Sequence, residues 1–431
     1  THLEEEIVTQ AEQYRALSAD QLEAELQQLM SDHEQYMDYD CLNLYAGTNM
    51  MNPCAVQALA HSIGSRPSLG YPGDKYEMGM QYAEQLEIMA AELLKEVFNC
   101  AYAEIRVGSG SLSNLYAFMA CTKPGDTIMA FSDAAAGHVT HHKAGAAGLY
   151  GLDIHEVPFD AAQMTIDVPA LREKAHQLQP KLIIVAGSMC LFPYPVAAVR
   201  EIADEVGAYV MYDAAHMSGL IAGGEFQQPL AEGAHLMTGS TYKSFGGPPS
   251  GMILTNEADL AQRLDAIAYP GLTANFDLGK TAALAIATLD MREYGAAYAK
   301  MCIANAQALA QALADSGLPV FAVAGKGFTH SQHVAIAAER FGGGTAACRV
   351  LEKANILASG IGLPLPTIEG DFNAIRLGTQ EITRWGMRPE HMGEVAALIG
   401  RVLLDGDEPT AVQQEVIAFR KEFTDLHYIR H

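Results

Sequence analysis

The sequence predicts an α/β protein: a mostly parallel sheet with helices on both faces, preceded by a helical arm and followed by a smaller α+β domain. Three observations carry that reading. Short continuous apolar runs, TIMAFS (127–132), KLIIVAG (181–187), AYVMYD (208–213) and GMILTN (251–256), have the composition of strands buried on both faces. Helical stretches separate them, and VPALREKAHQL (168–178) and VAAVREIADEVG (196–207) each lead directly into a strand. Past about residue 295 the pattern turns to Ala-rich helix, then to the strand-like HVAIAA (333–338) and NAIRLG (373–378), then to helices near 390–404 and 410–423.

The elements divide the chain into an arm (1–40), a large domain (41–290) and a small domain (291–431). The arm is rich in Glu, Gln, Leu and Ala, with Leu22, Leu26 and Leu29 at helical spacing, and is expected to pack its apolar side on something. At 431 residues the chain can bury a sizeable core. Its 27 Lys and Arg against 51 Asp and Glu give a formal charge of -24, which repels nucleic acid and anionic lipid. No apolar run is long enough to cross a bilayer. Seven cysteines, scattered and never spaced C-x-x-C, suggest buried reduced thiols, not disulfides or a zinc site. The acidic start THLEEEIV lacks an export signal, so the cytoplasm is the expected compartment.

Five features carry chemistry. Strand AYVMYD ends in Asp213, where open α/β sheets collect their ligands, although an aspartate there can also cap a turn. In RVGSGSLSN, Ser109, Gly110 and Ser111 open a helix, an arrangement that binds phosphate or simply caps. His138, His141 and His142 follow TIMAFS without the carboxylate or cysteine a metal site needs, which favours stacking or hydrogen bonding. Arg376 sits inside an apolar run, either solvated or gripping a carboxylate. Lys243, in GSTYKSFGGPPSG, stands alone among small residues. Together these parts fit pyridoxal 5'-phosphate: a lysine for the Schiff base, a phosphate cup, a carboxylate for the ring nitrogen and an arginine for the amino acid.

Their order resembles that of the aspartate-aminotransferase fold class, and over residues 40 to 400 the chain is similar to the serine hydroxymethyltransferase family. The likeness rests on GYPGDKY (70–76), SGSLSN (109–114), KPGDTIMAF (123–131), GHVTH (137–141), REIADEVGAYVMYDAAHMSGLIAGG (200–224), STYKSFGGPPSGMIL (240–254), YPGL (269–272) and IRLGT (375–379). The resemblance implies fold type I with phosphate contacts at Ser109, Gly110 and Ser111, and places Ser240 among the cofactor-binding residues. It also implies ring stacking at His138, ring-nitrogen pairing at Asp213, contacts near the cofactor's phenolic oxygen at Ser188 and His216, and the Schiff base at Lys243. Arg376 would take the substrate carboxylate, with Tyr76 and Thr48 nearby, and a homodimer would let GYPGDKY reach into a neighbouring site.

The departures bear on function. The family's proton-transferring glutamate is Leu69 here, its second tyrosine is Glu77, and its Ser-Glu-Asn is Gly47-Thr48-Asn49. The histidine before the lysine is Tyr242, and a Gln-Gly-Gly is Thr273-Ala274-Asn275. A leucine moves no proton, so the expected activity is folate-independent cleavage of Cα–Cβ in serine or α-methylserine, releasing formaldehyde. The hydroxyl base is left open between His138, Glu77 and a water. The alternatives are folate-dependent transfer, a threonine-type aldolase or transaldolase, an aminotransferase on the same fold, and a non-catalytic cofactor-binding protein.

Overall fold

The structure, a computed structural model, describes residues 2–431. Helices α1 (His2–Arg15) and α2 (Ala19–Glu34) form the arm, and Ser18 starts α2 through a capping box with Gln21. Within one chain the arm is largely uncovered: α2 buries no residue, and Leu26, Leu29 and Met30 are 61%, 46% and 64% exposed. The chain then runs through β1 (Leu42–Asn43), α3 (Gln81–Phe98), β2 (Tyr102–Glu104), α4 (Gly110–Cys121), β3 (Thr127–Ala130) and β4 (Asp153–Glu156). Next come α5 (Val168–Leu178), β5 (Leu182–Ala186), α6 (Val196–Val206), β6 (Tyr209–Asp213), β7 (Leu236–Ser240) and β8 (Gly251–Thr255). The remainder holds α7 (Leu278–Asp315), β9 (His333–Ala337), α8 (Gly344–Glu352), β10 (Ile356–Leu357), β11 (Ser359–Ile361), β12 (Ala374–Gly378), α9 (Gln380–Arg384), α10 (Met392–Gly400) and α11 (Pro409–Arg420).

Seven strands make the large sheet in the order β2-β8-β7-β6-β5-β3-β4. Strands β5, β7 and β8 are buried at every position, as continuous apolar runs covered on both faces should be. Helix α6 shows how the covering works: Val196, Val199, Ile202, Ala203 and Val206 form its one buried face, and Gly207 ends it in the left-handed region at φ 70°. One strand differs from expectation. GMILT, in β8, runs antiparallel to β7 and to β2, because an apolar run states burial and not direction.

The small sheet is antiparallel, in the order β9-β12-β11, and packs with α8, α10 and the second half of α7 around a separate core. Leu42 and Leu44 belong to that core, and β1 pairs with β10, so the segment just after the arm joins the C-terminal elements. Residue 290, where the sequence places the boundary between domains, lies inside the 38-residue α7. The seven cysteines are all free, and Cys54 is exposed, against the expectation of buried thiols. No described helix is long and apolar enough to cross a membrane.

Candidate active site

The parallel strands end their carboxyl termini on one side of the sheet, and the sequence places its functional groups there. Asp213 is the last residue of β6, Ser240 the last of β7, and Lys243 follows three residues later in a buried loop. Ser188 lies just beyond β5, and His138 stands in the loop after β3 as the cap of a single 3-10 turn. Arg376 comes from β12 of the small sheet, so the site is built from both sheets.

Lys243 Nζ lies 3.0 Å from His216 Nε2, and His216 Nδ1 lies 3.1 Å from the Ala46 carbonyl. A carbonyl only accepts, so Nδ1 carries the ring proton and Nε2 faces the lysine with a lone pair. Burial pushes the Lys243 amine down to about 8; the Asp213 carboxylate works against that fall and the Arg376 charge adds to it. His216 falls well below its ordinary value for the same first reason, burial, reinforced by Lys243 and Arg376. The site therefore holds a lysine that is about half neutral at pH 8 beside a neutral imidazole.

Asp213 is 2% exposed and keeps its charge. Burial alone would raise its pKa, but hydrogen bonding and charge from His141, together with His138 and the Ala215 N–H, bring it well below the carboxylate range. Its Oδ2 accepts from His141 Nε2 at 2.9 Å and Asn114 Nδ2 at 2.9 Å, and its Oδ1 from Ala215 N at 2.9 Å. Three donors leave room on the carboxylate for one more.

Ser109 caps α4, its Oγ accepting from Leu112 N at 3.2 Å. In the first turn, the N–H groups of Gly110 and Ser111 have no hydrogen-bond partner within the helix. A Cβ at Gly110 would overlap Ser240 Oγ as it stands, so the start of α4 and the end of β7 meet closely at this residue. These groups fit pyridoxal phosphate. The helix start offers donors to a phosphate, the unfilled capacity of Asp213 suits a protonated ring nitrogen, and the buried neutral amine suits an aldehyde.

Arg376 is buried, its Nη1 donating to the Ser188 carbonyl and its Nε and Nη2 to Ser359 Oγ at 3.2 and 3.0 Å. Its guanidinium lies 6.0 Å from the Tyr45 ring centre, and burial brings its pKa down to about 10. Ser188 spends its hydroxyl proton on the Gly137 carbonyl at 3.2 Å. Arg376 Nη1 also lies 3.5 Å from His216 Nε2, so Ser188, Arg376, His216 and Lys243 stand side by side.

Within one chain three further expected residues make other contacts. Thr48 donates to Glu381 Oε2 at 2.9 Å, in a buried cluster that also includes Asn43. Tyr76 is 78% exposed, on a short hairpin formed by Gly70–Tyr71 and Asp74–Lys75. Glu77 reaches back along that hairpin to accept from the Leu69 N–H at 3.0 Å. The sequence reading did not single out Asn114, Thr140 or Glu381 as site residues, and it named His141 only as one of three histidines, without a partner. SGSLSN and GHVTH contain Asn114, Thr140 and His141, but their partners become visible only in three dimensions. Glu381 had no local signal; burial lifts its carboxyl to about 7 against the hydrogen bonds of Thr48 and Asn43. Among the described residues no group of three His, Cys, Asp or Glu is arranged to hold a metal ion.

A parallel sheet with a buried lysine, an ionised aspartate and a helix-start cradle at its carboxyl edge defines a pyridoxal phosphate-dependent enzyme of fold type I. The sequence model of serine hydroxymethyltransferase matches residues 19–399, and the chain belongs to that family. It is 51% identical over 427 residues to an alpha-methylserine aldolase of Ralstonia sp, covering 99% of this chain and 97% of that one. It is 40% identical over 390 residues to the serine hydroxymethyltransferase of Methanopyrus kandleri, covering 90% and 91%. Its fold matches the crystal structure of L-threonine transaldolase from Pseudomonas fluorescens in its internal aldimine state, with a TM-score of 0.85 and 25% identity over 98% of this chain and 96% of that one. The chain is thus an enzyme acting on the Cα–Cβ bond of β-hydroxy amino acids.

Proposed function

We propose that the protein cleaves α-methylserine to alanine and formaldehyde without folate, and that it works in the cytoplasm as a homodimer. The observation that carries this is Leu69, which stands where the family has its proton-transferring glutamate and whose N–H is held by the Glu77 carboxylate. Similarity to the aldolase of Ralstonia sp supports the same substrate. Capture of formaldehyde by folate needs a group that moves a proton at that position, and leucine has none. Cleavage alone needs only that the hydroxyl lose its proton as Cα–Cβ breaks.

Pyridoxal phosphate, when bound, supplies the sink for the electron pair left on Cα. Lys243 would attach it and Asp213 would keep its ring nitrogen protonated. Ser109, Gly110, Ser111 and Ser240 would hold its phosphate, and His138 would stack on its ring. Ser188 and His216 would serve its phenolic oxygen, and His216 holds a lone pair toward the Lys243 amine. Arg376 fixes the substrate carboxylate, and its partners Ser188 and Ser359 aim the guanidinium. Glu77 takes the hydroxyl proton, and does so from a second copy: within one chain its hairpin is exposed at Tyr76 and Met78, the form of a segment that reaches outward. Thr48 acts indirectly, through the loop it ties to Glu381.

Incubating the protein with α-methylserine and with serine, each with and without tetrahydrofolate, and measuring formaldehyde tests the reading. Formaldehyde from α-methylserine without folate is the expected result. Strict dependence on folate would overturn it.

A further inference from the structure

We propose that Asn114 and Thr140 are positioning residues that carry the charge of Asp213 to His138 and lock its ring in the Nε2–H form, so that His138 enters the reaction as a neutral hydrogen-bond donor and not as the base for the substrate hydroxyl. The inference rests on the placement of His138 in the cofactor site, and each link follows from which atoms can donate.

An ionised carboxylate only accepts, so the Asn114 atom 2.9 Å from Asp213 Oδ2 is the amide nitrogen. The opposite side of the amide agrees: Asn114 Oδ1 accepts from Thr238 Oγ1 at 2.7 Å. The second amide hydrogen goes to Thr140 Oγ1 at 2.8 Å. With that oxygen accepting from Asn114, the Thr140 hydroxyl proton is free to point at His138 Nδ1, 2.7 Å away. The backbone N–H of Thr140 converges on the same nitrogen at 3.3 Å, and a backbone N–H is always a donor. Two donors therefore claim the Nδ1 lone pair, and the proton of the neutral ring resides on Nε2.

The surroundings hold the ring neutral. Burial draws the His138 pKa down to about 4; Asp213 opposes that, while His141, Lys243 and Arg376 add to it. Asn114 is 3% and Thr140 4% exposed, so solvent does not compete for the relay. Asn114 and Asp213 are 99 positions apart, and Asn114 and Thr140 are 26 apart, so the relay ties α4, β6 and the His138 loop together at one point.

The experiment is nitrogen NMR of protein labelled with 15N-histidine, with and without cofactor, using His138→Gln to assign the signals. The proposal expects a neutral His138 with its proton on Nε2 from pH 6 to 9. In Thr140→Val, which keeps the shape and removes the hydroxyl, His138 should begin to protonate at a pH about one unit higher, because one hydrogen bond to the lone pair is gone. Thr140→Ser should restore the parent behaviour. A proton on Nδ1 in the parent protein overturns the proposal, and so does a Thr140→Val variant whose His138 titrates like the parent's. If the valine variant does not fold, the parent spectrum still decides. The tautomer is read without substrate, so this result is independent of which amino acid the enzyme cleaves.

Discussion

Replacing Lys243 by methionine in the cofactor-free protein should stabilise the fold at neutral pH. In the folded state burial lowers this amine from 10.5 to about 8, so between those values the unfolded chain binds more protons and stability rises with pH. Below pH 8 the folded protein carries the full penalty of a buried ammonium, about 3 kcal/mol at pH 7, and at pH 10 less than about 1 kcal/mol of it is left. Methionine removes the penalty, but leaves His216 Nε2 without its partner, a loss of about 1 kcal/mol that does not change over this range. Urea unfolding of both proteins at pH 7 and pH 10 separates the two effects. The advantage of the variant should shrink by about 2 kcal/mol or slightly more on going to pH 10. An advantage that is equal at both pH values would refute the reasoning, because the lysine would then titrate alike in both states.

Arg376→Gln should raise KM for the amino acid about 10- to 100-fold with a smaller change in kcat, as expected for a charged contact to a carboxylate; steady-state kinetics check it. Gly110→Ala should weaken cofactor retention at least about tenfold, since the added methyl overlaps Ser240 Oγ, and absorbance titration of the cofactor-free protein measures this. Glu381 is the reverse of Lys243. Its folded pKa is raised from 4.5 to about 7, so its contribution is favourable below 4.5 and is lost as pH rises through 7. Glu381→Gln should then raise the urea midpoint at pH 8, by up to about 3 kcal/mol in stability, and change it little at pH 4.5.

Most of the candidate site was legible because each part of the chemistry demands a particular residue type. Only a lysine makes the Schiff base, and Lys243 stands isolated in a run of small residues. Asp213 closes an apolar strand, and Ser109-Gly110-Ser111 opens a helix. The direction of β8 was not legible, since a buried run is equally apolar whichever way it points. The fate of Thr48 was hidden for another reason: its partner Glu381 is 333 positions away, and nothing local marks a carboxylate that burial will hold near 7. The relay from Asp213 to His138 depends on four residues from three segments meeting, which spacing along the chain does not encode. The arm showed its apolar positions correctly, but a single chain covers none of Leu26, Leu29 and Met30.

Helix α7 spans about 57 Å at 1.5 Å per residue, and it is a structural member of both cores. Leu284, Ala287, Met291 and Tyr298 pack in the core of the large sheet; Ala306, Leu309, Ala310 and Leu313 pack in that of the small sheet. Loss of either core would strip half of this beam of the tertiary packing from which most helical stability comes. The two halves of the molecule are therefore mechanically coupled through an unbroken rod in place of a linker. They should melt in one cooperative step, and any closing of the small sheet over Lys243 has to pivot about α7 without a hinge within it.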